Sequence, residues 1–162
     1  MKKLLLTLFC FINLCAIGEP LRGGVIEEYI PDGFFGSWGV ISKIKDSNNP
    51  MMFNTQSRDV WMLSGYSNIL ILENLESGAK SEITIKEKSL DNKTLKFERQ
   101  KIIEKSGIKT IYKEIVSFIL DGNNFRGTDN FIVEKYKNNK LLEKNYANYT
   151  ISGVRISGKS PN

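Results

Sequence analysis

The chain has 162 residues, two cysteines, no histidine and a net charge of +5, with 23 basic against 18 acidic side chains. The absence of histidine excludes a His-based catalytic triad and removes the usual zinc sites. Charges of both signs are interspersed, as in Lys86-Glu87-Lys88, which is not the single basic stripe of a nucleic-acid binder.

Lys2 and Lys3 open the chain, and an apolar run over residues 4–17 follows, interrupted only by Thr7 and Asn13. Such a run matches a signal-peptide core and falls short of the roughly 20 residues that span a bilayer. Ala16 and Gly18 place small side chains ahead of a cleavage between Gly18 and Glu19. Residues 1–18 thus read as a cleavable signal, which predicts an extracytoplasmic protein, periplasmic or secreted. Cys10 and Cys15 leave with that segment, so the mature chain is expected to have no disulfide, no sulfur-bound metal and no thiol nucleophile. It keeps 21 basic and 18 acidic residues, a net charge of +3.

Residues 19–33 form an N-terminal arm that ends in the turn Pro31-Asp32-Gly33. A β domain is predicted over residues 34–157, followed by a polar tail over 158–162. Strands are predicted over 36–44, 59–64, 68–74, 81–89, 93–104, 109–120, 124–136 and 140–157. The clearest of them alternates Ile83 and Ile85 with Glu82, Thr84 and Lys86, the period of two of a half-buried strand. Turn formers punctuate the rest: Ser64-Gly65, Glu76-Ser77-Gly78, Ser106-Gly107, Asp121-Gly122 and Asn138-Asn139. Residues 97–105 also have a helix-prone composition, against which the break at Ser106-Gly107 and the β-branched residues beyond it count.

Consecutive strands joined by short turns favour a single antiparallel up-and-down barrel of about eight strands, with an open β-sandwich as the alternative. A barrel spanning the outer membrane needs an apolar outer band; Glu82, Thr84, Lys86 and Lys88 on the outward face argue for a soluble one.

Gly36-Ser37-Trp38 opens the first predicted strand, and Arg155 lies in the last. In these residues the chain resembles the lipocalins and the wider calycin superfamily, where a Gly-x-Trp motif begins the first of eight strands. Thr128-Asp129 is similar to a Thr-Asp pair of that family. The resemblance implies that Trp38 closes one end of the barrel beneath Arg155, and that the cup binds a small, usually apolar molecule. Trp61, Tyr66, Tyr112, Phe118, Phe131 and Tyr149 are the aromatic candidates for lining it, Tyr66 from a turn at the mouth.

Paired carboxylates could serve a glycosidase, and Glu27, Glu28, Asp59, Asp129 and Glu134 are available. Their spacing does not show that any pair converges, and they read as surface side chains. No enzyme activity and no cofactor or metal is expected. The expected partner is a small apolar or amphipathic ligand held in the lumen. Alternatively, the barrel is filled by its own side chains and docks another envelope protein. Neither nucleic acid nor a membrane span after signal cleavage is expected.

Overall fold

The computed structural model describes residues 32–66, 69–91 and 93–158. The expected signal with its Gly18–Glu19 cleavage point, the arm up to Pro31 and the last four residues lie outside these described residues. A 3-10 turn, Asp32–Phe34, leads into eight strands: β1 (Gly36–Ser47), β2 (Gln56–Tyr66), β3 (Ile69–Asn74), β4 (Ala79–Lys88), β5 (Thr94–Lys105), β6 (Ile108–Asp121), β7 (Asn124–Lys137) and β8 (Lys140–Ser157). Each strand pairs antiparallel with the next, and β1 pairs with β8, so the sheet is a closed up-and-down barrel and not an open sandwich. The helix-prone residues 97–105 are part of β5, where pairing with β6 along the strand's whole length overrides local preference.

Alternation decides which side chains enter the barrel. On β4, Ile83 and Ile85 are buried while Glu82, Thr84 and Lys86 are exposed. The same period drives Leu95 and Phe97 of β5, Val116 and Phe118 of β6, and Phe125 of β7 into one core with Trp38, Trp61, Leu63 and Leu72. A second cluster of Phe53, Val133 and Ala147 lies higher, with Ile44, Tyr112, Phe131 and Tyr149 packed against it.

Strand lengths make the barrel lopsided. Pairing of β4 with β5 runs only from Lys88↔Leu95 to Thr84↔Glu98, whereas β5, β6, β7 and β8 stay paired up to Lys105↔Ile108 and Lys137↔Lys140. The β5–β8 sheet therefore rises above β1–β4. Above Glu98, β5 has no β4 partner and most of its residues are exposed, which accounts for the polar composition of that stretch.

Candidate functional site

One end of the barrel is closed by side chains drawn from both chain ends. Trp38 is 2% exposed and donates its indole N–H to the carbonyl of Phe34 at 3.1 Å. The 3-10 turn directs the fully buried Phe34 inward, where its ring packs 5.2 Å from that of Phe118. Arg155, the cross-strand neighbour of Trp38, stacks its guanidinium 4.1 Å from the centre of the indole. It also donates to the carbonyls of Phe35, at 3.0 Å, and Gly33, and so ties β8 to the segment entering β1. Burial lowers the Arg155 pKa from its ordinary value.

Two glycines make this floor possible. Gly36 has φ +116°, and a Cβ there would run into the carbonyl of Ser157. At Gly153 a Cβ would overlap Phe125, whose ring meets Trp38 edge-on at 5.3 Å. Trp61 and Phe118 belong to the same closed core. The backbone of Tyr66 lies three residues past Leu63, the partner of Gly36, and so at the closed end rather than at a mouth. Its side chain is outside the description.

Above the floor the inward positions turn polar. Ser57 donates to Asp59 at 2.7 Å, and Asn74 donates to the other Asp59 oxygen at 2.8 Å. Arg99 of β5 donates from Nη1 to Ser81 of β4 at 3.3 Å and pairs through Nε with Glu114 of β6. Asp129, on the adjacent strand, hydrogen-bonds Glu114. These residues share the inward register of Trp61, Phe97 and Val116, so they form a belt directly above the apolar core. Glu114 is 5% exposed and Asp129 8%, which corrects the expectation that Asp129 is a surface carboxylate. Burial pushes the Asp129 carboxyl well above its ordinary range; the charge of Glu114 and the hydrogen bond with it add to the effect. Among the described residues, one Asp129 oxygen, Oδ1, is buried without a hydrogen-bond partner. The phenol of Tyr149 is likewise raised, by burial and then by the charge of Asp129.

A cavity of about 330 Å³ opens where β4 and β5 part. Ala79, Lys80 and Ser81 line one side, and Arg99, Gln100, Lys101 and Ile103 the other, with Tyr112, Glu114 and Phe131 completing it. Phe53, carried by the loop between β1 and β2, meets Phe131 edge-on at 6.1 Å. Of the six aromatic candidates, the structure brings Tyr112 and Phe131 to the cavity. Tyr149 packs at the boundary of the two cores. Arg99, Glu114 and Ser81 were not singled out in the sequence. The available signal was alternation, which puts Arg99 in step with Phe97, and Glu114 in step with Tyr112 and Val116.

No protein-family model, curated protein or solved structure matches the chain. The fold and site define an eight-stranded antiparallel up-and-down barrel, sealed at one end, with a polar-floored cavity toward the other.

Proposed function

We propose that the protein is an exported, lipocalin-like binding barrel that holds a small amphipathic molecule in the cavity between β4 and β5. The observation that carries this reading is the Arg99–Glu114 ion pair set into the cavity wall beside Tyr112 and Phe131. Buried ion pairs add little to stability over well-packed apolar residues. A barrel that had only to fill itself would gain nothing from one. A ligand-sized cavity with aromatic walls and a few convergent polar groups is what small-molecule recognition needs, and 330 Å³ is at the lower end of the usual range of about 300–1,000 Å³.

Tyr112, Phe131 and Ile103 would take the apolar body of the ligand. Arg99 and Lys101 put two cations against the one carboxylate of Glu114, Lys80 being already paired with Glu73 at 3.6 Å, and this balance favours an anionic or acceptor-rich end. The reading is tested with 1-anilinonaphthalene-8-sulfonate, an anionic amphipath whose fluorescence reports binding. Saturable one-to-one binding is expected, weakened at least about tenfold in Phe131→Ala through lost stacking and apolar contact. Absence of saturable binding, or binding indifferent to Phe131→Ala, refutes the assignment. Native mass spectrometry of protein from its own host identifies the molecule itself.

A further inference from the structure

The tip of the tall β5–β8 sheet has an unusual composition. Its outermost paired row, read across the four strands, is Lys105, Ile108, Lys137 and Lys140. The next row is Glu104, Lys109, Tyr136 and Leu141, with Leu142 just beyond on β8. Strands lie about 4.8 Å apart, so four lysines and one glutamate share an edge about 14 Å long. Among the described residues, none of these four lysines has a carboxylate within ion-pair range. One step lower the pattern differs: Lys135 meets Glu143 at 2.7 Å, and Lys144 meets Glu134 at 2.9 Å.

Lys137 and Lys140 face each other directly across the tight Asn138-Asn139 turn, in which both asparagines have positive φ. Like charges in that position destabilise a sheet. Lysine on an exposed strand edge guards against unwanted pairing, which accounts for Lys105 on β5. That role does not account for Lys109 and Lys137, which lie on the two inner strands. Aliphatic side chains outside the cavity lining are exposed beside them: Leu142 55%, Ile102 48% and Leu141 45%.

We propose that this tip is a docking face for an anionic lipid surface. Lysines attract acidic headgroups while leucine and isoleucine side chains enter the boundary between headgroup and acyl chain. A nucleic acid would use the lysines and leave the aliphatic residues without a role, and a protein partner is the outcome in which the chain binds no vesicles. The face is independent of the cavity having a ligand, although both lie toward the same end of the barrel.

The test is sedimentation of the exported chain with vesicles of phosphatidylcholine alone or with a quarter phosphatidylglycerol. Binding is expected only to the anionic vesicles at low salt, with release at about 0.5 M salt, where charges are screened over a few ångströms. Lys137→Gln/Lys140→Gln should bind about thirtyfold more weakly, at about fivefold per lysine. Leu141→Ser/Leu142→Ser should also bind at least about tenfold more weakly. All four positions are exposed, and circular dichroism checks that each variant is folded; Leu142→Ser alone replaces the double variant if it is not. No binding to anionic vesicles, or equal binding to neutral ones, overturns the proposal. So does a leucine variant that binds as well as the parent while the lysine variant fails, because the surface would then read negative charge alone.

Discussion

Replacing Trp38 tests whether the closed end works as the geometry indicates. The indole is 2% exposed, packs edge-on against Phe125, donates to the Phe34 carbonyl and lies beneath Arg155. Trp38→Ala should cost about 3–5 kcal/mol in lost burial and cavity formation. Arg155→Ala removes a cation–π contact, about 0.5–2 kcal/mol, and two charged hydrogen bonds to carbonyls. Much of the hydrogen-bond strength is regained from water at this half-exposed site, so the total should be about 2–4 kcal/mol. Because the two side chains touch, the double variant should lose less than the sum, by about 0.5–2 kcal/mol. Guanidinium unfolding followed by far-UV circular dichroism measures all four corners of the cycle. If the singles leave too little stability, Trp38→Phe serves as the gentler substitution, retaining a ring beneath Arg155 while losing the donor to Phe34. Additivity within about 0.3 kcal/mol would refute the reasoning, because a guanidinium stacked 4.1 Å from the indole centre cannot be energetically blind to it.

Two further outcomes follow from the interior. The folded state raises the Asp129 pKa above its ordinary 3.8, so it holds that proton more tightly than the unfolded chain does. The resulting stability is complete below about pH 3.8 and is lost as pH rises through the folded pKa. Asp129→Asn removes this dependence, and its melting temperature should therefore gain on that of the parent as pH rises across the window. Parallel curves would contradict the assignment; the exposed carboxylates are common to both proteins and cancel in the comparison. A Cβ at Gly127 would overlap the Ser117 carbonyl and come within 2.8 Å of the Phe118 Cα, both backbone. Gly127→Ala should cost about 1–3 kcal/mol or more, whereas Gly39→Ala, whose nearest neighbour is the Ile156 side chain at 3.5 Å, should stay within about 0.5 kcal/mol in the same denaturation assay.

The strands were legible because alternation and turn residues are local signals. Ile83 and Ile85 against Glu82 and Thr84, with Ser106-Gly107 and Asn138-Asn139 as breaks, are enough to draw β4 and the two tall hairpins. Antiparallel closure followed from eight such strands joined by short connections. The sequence also pointed to Trp38 and Arg155, although 117 positions separate them.

What alternation cannot supply is height. Period two says that Trp61, Phe118, Tyr112 and Phe131 point inward, but not which of them lie in the sealed core and which reach the cavity. That depends on how far each strand is displaced along its neighbours, which is summed around the whole barrel. The early end of β4–β5 pairing at Thr84↔Glu98 opens the cavity, and no local pattern announces it. The burial of Asp129 is decided in the same way. A carboxylate between polar neighbours in sequence looks solvent-facing until the register sets it beside Glu114, and only that three-dimensional neighbourhood fixes its charge.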